Sequence, residues 1–353
     1  MTLDIQKMKE IASNLHSAAA NKHFGLAGPQ ALRELVEIIT QIYRLMEPAT
    51  RSVPLVVFIR PSPSLLPASQ CGPQALHQVA HISGLQHELD SACMVEVSSA
   101  GQVSVFDLNA HNLVALSAEA IVYLYDNGHE RFYIGGESYT VINPAAPTHA
   151  SVFARPTFSS LSDALEGYRN RVARYTSCYI LKDAWREPRR IFLRTKPEAT
   201  MRRSLLQHLA STIGRFAEVR PEQIVDESHP VDIKVTWVDT NQRALIEIKW
   251  LGQSCEEDGT FTTAYTASRA RDGAKQLAEY LDANLTAGPG LRSRGYLVVF
   301  DARRRGLHKG ATSLSVSDGL HYRDEEIDYN PKYHEQRDDF EAPVRMFCEP
   351  IVS

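Results

Sequence analysis

The stretch from Pro230 to Trp250, PVDIKVTWVDTNQRALIEIKW, sets Asp232, Lys234, Glu247 and Lys249 into two otherwise apolar runs. Carboxylates are hard oxygen donors suited to Mg2+ or Mn2+, and an ammonium beside them can orient a water or answer developing negative charge. The same four charges also describe a solvated sheet face. Side chains alternate along a strand, so Asp232, Lys234 and Thr236 share one side of the first run and Leu245, Glu247 and Lys249 share one side of the second. A turn centred on Thr240 and Asn241 pairs Val238 with Arg243, which puts Asp232 opposite Lys249 and Lys234 opposite Glu247. All four charges then occupy one face. As simple ladders, those two opposite-charge pairs would stabilise an exposed sheet by about 0.2–1 kcal/mol each.

Residues on either side bear on the choice between ladder and site. In KQLAEYL, Gln276 and Tyr280 are four apart and share a helix face. The apolar stripe of that helix, Ala267, Ala270, Ala274, Leu277 and Leu281, leaves Gln276, Tyr280 and Arg269 along its border. Upstream, Glu198 falls in the first turn of a helix opened by Pro197, where the helix dipole favours a carboxylate in any case.

The order of Glu198, PVD with Asp232, IEIK with Glu247 and Lys249, and QLAEY with Gln276 and Tyr280 resembles the RecB-like branch of the PD-(D/E)XK nucleases, with its QxxxY motif, over about residues 160–305. The resemblance implies a restriction-endonuclease-like core, a mixed sheet flanked by helices. It implies hydrolysis of phosphodiester bonds of nucleic acid, DNA ahead of RNA, with Mg2+ or Mn2+ as cofactor. Asp232 and Glu247 would supply metal oxygens, with the Ile248 backbone carbonyl and Glu198 joining them, and Lys249 would act on the attacking water. Gln276 and Tyr280 would position the substrate backbone, with Arg269, Lys275, Arg189 and Arg190 as phosphate contacts. Lys234, on the same face, would either weaken metal binding or touch the scissile phosphate. RecB-like domains commonly sit beside sensing domains in repair, restriction and anti-phage defence, which suggests a target or protein activator for the first half of this chain. The rival reading is a binding subunit or scaffold that keeps the fold without catalysis.

The elements that must position these residues fit a two-domain chain, because 353 residues exceed what one hydrophobic core usually covers. Residues 1–155 read as an α+β domain: two helices over 3–48 parted by GLAGPQ, a buried strand in VPLVVFI, then short strands MVEV, VSVFDL, AIVYLY and SYTVIN with DNGHE and IGGES as turns. NPAAPTHASVFARPTFSSLS reads as a linker or extended crossover. Residues 156–353 read as an α/β core: helix LSDALEGYRNRVARY, strand RIFLR, helix KPEATMRRSLLQHLASTIG, the charged hairpin, helix TASRARDGAKQLAEYLDAN, turn AGPG and strand GYLVVFDAR. The tail YRDEEIDYNPKYHEQRDDFEAPVRMF reads as a solvated terminal extension packed by Tyr329, Tyr333 and Phe340, or as a docking strip or an intramolecular cover.

A net charge of −4 excludes a generally cationic nucleic-acid coat, so a polyanion must meet a local patch. Two are present: Lys182 to Arg203, with Arg186, Arg189, Arg190, Arg194, Lys196 and Arg202 between them, and the run Arg303 to Arg305. Either is also a plain solvated face. The five cysteines contain no CxxC pair and read as reduced thiols, and His77, His81 and His87 lack a carboxylate at ligand spacing. No apolar run reaches the ~18 residues of a membrane span, and the amino-terminal stretch lacks the apolar block of a secretory signal, so a cytoplasmic setting with no membrane partner is expected. Cutting both strands of a duplex would favour a homo-oligomer that pairs two sites.

Overall fold

The computed structural model describes residues 16–48, 51–61, 75–98, 102–108, 112–141, 151–226, 229–237, 239–240, 242–287 and 292–353. The first expected helix, the AGPG turn and Asn241 of the expected hairpin turn lie largely or wholly outside them. Contacts divide the chain into two compact units, Met1–Ser159 and Ser160–Ser353. Among the described residues no helix is long and apolar enough to cross a membrane.

In the first unit, helix α1 (Ala27–Leu45) packs Leu32, Leu35, Ile39 and Ile42 against a seven-stranded sheet. Its strands are β1 (Leu55–Ile59), β2 (His77–Val79), β3 (Cys93–Val97), β4 (Val103–Phe106), β5 (Ile121–Asp126), β6 (His129–Ile134) and β7 (Glu137–Thr140). The order is β2-β4-β3-β1-β5-β6-β7, with β1 and β3 parallel and the other pairs antiparallel. Two expectations change here. Only Asn127 and Gly128 of DNGHE form the turn, with φ of 46° and 80°, the positive pair that a two-residue hairpin demands, and His129 begins β6. Within the expected linker, Val152, Phe153 and Ala154 are buried in this unit's core, because apolar side chains win over the loop-like composition around them.

The second unit opens with α2 (Phe158–Tyr168), a π-helical turn (Arg169–Ala173) and α3 (Glu198–Ile213), which Pro197 precedes and Gly214 follows. A six-stranded mixed sheet follows: β8 (Glu218–Asp226), β9 (His229–Trp237), β10 (Gln242–Cys255), β11 (Phe261–Tyr265), β12 (Arg292–Ala302) and β13 (Val344–Phe347). The order is β13-β12-β10-β9-β8, with β11 paired to β10. β10, β12 and β13 run parallel, and the remaining pairs are antiparallel. Helix α4 (Ala267–Ala287) crosses over between β10 and β12 and buries Ala270, Ala274, Leu277 and Leu281 against Leu245, Leu251, Leu297 and Val299. On the opposite face Tyr168 of α2 meets Phe300 edge-on, and its hydroxyl donates to Ser204 of α3 at 2.7 Å. The unit is therefore a mixed sheet with helices on both faces.

Three sequence expectations fail in this unit. RIFLR is not a strand: Leu193 makes only single bridges to Trp185 and Ser254. The tail packs through Tyr329, Tyr333 and Phe340 as expected, but it is not a solvated extension, because residues 344–347 add β13 to the sheet. The Arg303 to Arg305 run is not a surface patch. Arg303 is buried on Asp301 (2.8 Å), Arg304 is buried and donates to the Cys348 carbonyl, and Arg305 pairs with Asp318 at 2.7 Å.

Candidate functional site

β9 and β10 pair from Trp237↔Gln242 to Ile233↔Ile246, so the register is two residues off the expected one. The turn closes on the carbonyl of buried Trp237, which accepts the Thr240 N–H (3.2 Å), one residue earlier than the sequence suggests. Because side chains repeat every two residues, the slip keeps every charge on its expected face and changes only the partners. Lys234 lies opposite Leu245 rather than Glu247, and the charges it feels are those of Arg243, Arg220 and Glu218. It is not part of the carboxylate cluster.

Asp232 stands one residue beyond Ile233, the last residue of β9 in register with β10. Past that register the Ile248 N–H donates to Asp232 Oδ2 at 2.8 Å. What Ile248 visibly contributes is thus a donor that fixes the carboxylate. The other oxygen of Asp232 accepts from Arg202 Nη1 at 3.0 Å. Glu247 is 2% exposed and accepts from Lys249 Nζ at 2.5 Å, while its Oε2 is buried without a hydrogen-bonding partner. Lys249 Nζ also donates to Gln276 Oε1 at 3.0 Å, and the Gln276 amide donates to the Tyr280 hydroxyl. Tyr280 is buried in the α4 seam, not on its border, so it anchors this chain of contacts from within the core. Gly273 makes the approach of α4 feasible: a Cβ there would stand 2.6 Å from Lys249 Cγ and 3.0 Å from its Cε.

The electrostatics follow from burial. Desolvation, reinforced by the charge of Asp232, pushes the Glu247 carboxyl up to about 8 despite the opposing pull of Lys249. Burial also raises Asp232, with Glu198 adding to it and the Ile248 N–H, Arg202 and Lys249 working against it. Tyr280 is raised to about 12 by burial and then by Glu247. Glu198, at the start of α3, is close enough to be felt by both carboxyls, but its own oxygen accepts from Arg269 Nη2 at 3.0 Å. Arg269 also lies over the Tyr265 ring, 4.1 Å from its centre.

Other sequence candidates are placed elsewhere. Lys275 is exposed and faces Glu279 at 3.9 Å. Arg189 and Arg190 stand against the last residues of the chain: the Ile351 N–H donates to the Arg189 carbonyl, and Arg190 donates to the Tyr175 carbonyl and feels the charge of Glu349. They are not brought to the carboxylates. Arg202 is the residue of that patch that is, and its sequence signal is its position one helical turn after Glu198.

Among the described residues, no group of three or more His, Cys, Asp and Glu side chains is placed to hold a metal ion. The expected third carboxylate, Glu198, is turned to Arg269. Asp232 and Glu247 nonetheless suit a hard cation that takes one or two carboxylates and keeps water on its remaining sites. The buried, unpartnered Oε2 of Glu247 is an oxygen that such an ion would satisfy. A separate cavity of about 730 Å³, lined by Arg169, Arg174, Arg345 and Tyr329 among others, includes none of these residues. No protein-family model, curated protein or solved structure matches the chain.

Proposed function

We propose that the second unit is a metal-dependent nuclease with a restriction-endonuclease-like core, hydrolysing phosphodiester bonds of nucleic acid, DNA ahead of RNA. One observation carries this reading: Glu247, Lys249, Gln276 and Tyr280 form a continuous chain of hydrogen bonds, and Asp232 is pinned beside it by the Ile248 amide. Plain charge ladders on a solvated face need neither burial nor a helix partner. Here Asp232, Glu247 and Lys249 are all less than a tenth exposed.

Asp232 and Glu247 are the residues that would hold Mg2+ or Mn2+. The cation, when bound, supplies charge neutralisation and a more acidic water. Lys249 is held by two acceptors, so its ammonium stays aimed at the carboxylates and can meet negative charge that develops on a phosphoryl oxygen. Gln276 fixes Lys249, and Tyr280 fixes Gln276 from the core. The first unit would select the target or receive an activating partner.

The scaffold reading has its own supporting observation, since Asp232, Glu247 and Glu198 are each answered by a cation of the same chain. The two readings separate when the purified chain is incubated with single-stranded DNA, duplex DNA and RNA in Mg2+ or Mn2+, beside a Glu247→Ala, Lys249→Ala double variant. Cleavage by the parent alone, abolished by chelation, supports the nuclease. Cleavage that persists in chelator contradicts it, and absence of both cleavage and metal binding leaves the scaffold.

A further inference from the structure

The three carboxylates are answered in two different ways. Glu247 is closed in with Lys249, whose side chain is 9% exposed. The other two meet arginines near the starts of α3 and α4. Arg202 pairs with Asp232 at 3.0 Å and Arg269 with Glu198 at 3.0 Å, both guanidiniums being a quarter to a third exposed. Two atoms of this cluster are buried with no hydrogen-bonding partner: the acceptor Glu247 Oε2 and the donor Arg269 Nε. A divalent cation would satisfy the first and an anionic oxygen the second.

The charge count gives these shortfalls a direction. Asp232, Glu198 and Glu247 balance Arg202, Arg269 and Lys249 when all are ionised. Entry of a divalent ion leaves the cluster short of negative charge and competes with Arg202 for the Asp232 oxygens; Glu198, drawn to the ion as a third carboxylate, would release Arg269 in the same way. A guanidinium released there keeps a planar fork that fits phosphate oxygens.

We propose that Arg202 and Arg269 are exchangeable counter-ions, seated on Asp232 and Glu198 in the cation-free chain and transferred to phosphodiester oxygens when the cation binds. This rests on the nuclease reading and adds regulation to it: cation and nucleic acid bind with positive, reciprocal coupling, and nucleic acid alone meets arginines already neutralised.

The test titrates Mn2+ alone into the full chain and into Arg202→Gln, Asp232→Asn and Lys234→Gln, and titrates a twelve-nucleotide single-stranded DNA with and without Ca2+. Arg202→Gln is expected to bind Mn2+ about tenfold more tightly, ~1.4 kcal/mol. Lys234→Gln removes a positive charge from the same sheet face without touching a site carboxylate, and is expected to change Mn2+ affinity less than twofold. Ca2+ is expected to raise DNA affinity at least tenfold in the parent and to lose that effect in an Arg202→Gln, Arg269→Gln double variant. Unchanged or weaker Mn2+ binding by Arg202→Gln overturns the exchange, as does an equal gain in Lys234→Gln or a Ca2+ effect that survives in the double variant. Mn2+ binding that is absent from the parent, or indifferent to Asp232→Asn, overturns the nuclease reading as well. If Arg202→Gln fails to fold, Arg269→Gln carries the same Ca2+ test.

Discussion

Replacing Glu247 by Gln should stabilise the second unit, by an amount that depends on pH. The Glu247 carboxyl titrates near 8 in the folded chain against 4.5 for an ordinary glutamate, so the folded state holds a proton over that interval that the unfolded state has lost. The stability attached to this group is fully present below pH 4.5 and is lost as pH rises through about 8. A shift of that size corresponds to ~5 kcal/mol, accumulating at ~1.4 kcal/mol per pH unit. Glutamine is neutral throughout and can still accept from Lys249, so the variant escapes the loss. The difference between variant and parent should be near zero at pH 5 and several kcal/mol at pH 8.5, with the raised Asp232 remaining in both. Urea unfolding followed by tryptophan fluorescence suits the measurement, because Trp185, Trp237 and Trp250 all lie in the second unit. The runs should contain chelator, since a bound cation would stabilise the parent by mass action. A difference that does not change with pH, or a variant less stable than the parent at pH 8.5, would refute the reasoning.

Gly273→Ala should lose the ~0.5–1 kcal/mol that alanine normally brings to a helix interior, because its Cβ meets the inner stem of Lys249 at 2.6 Å. Cleavage should fall at least tenfold, and a raised melting temperature with full activity would contradict this. Mn2+ affinity should rise by up to tenfold per pH unit between pH 6 and 8 and then level off, as the Glu247 proton must leave for the ion to bind; calorimetry in buffers of different ionisation enthalpy should show about one proton released per ion at the lower pH. Tyr280→Phe should keep the packing of α4, change stability by no more than ~1.5 kcal/mol and slow cleavage through the loosened Gln276. Tyr280→Ala should cost ~3–5 kcal/mol in the same unfolding assay.

The hairpin charges were legible because strand parity is insensitive to a slip of two residues. Asp232, Glu247 and Lys249 keep their shared face although their partners differ from those expected. The α4 stripe was legible for the same reason in helical form, except that Ala267 is only half-buried and the long ring of Tyr280 reaches into a seam its spacing placed at the edge. β8 was missed because EVRPEQIVD carries Pro221 and mixed polarity, and its pairing with β9 is a tertiary fact. β13 was missed because only four residues of an acidic tail form it, docked on β12. Arg202 was visible only as one cation among several. What distinguishes it, a carboxylate thirty residues away in sequence, depends on where α3 ends up relative to β9. Arg189 and Arg190 show the converse, for a shared patch in sequence does not imply a shared surface.

The bond from the Ile248 amide to Asp232 has a spectroscopic consequence. Most amide protons inside a sheet face a carbonyl of the next strand, but this one faces a carboxylate whose other oxygen is held by Arg202. Its resonance therefore reads the electron density on Asp232 directly. In an isotope-labelled sample, the position of that single cross-peak follows whichever cation sits on the far oxygen, guanidinium or metal, without an added probe.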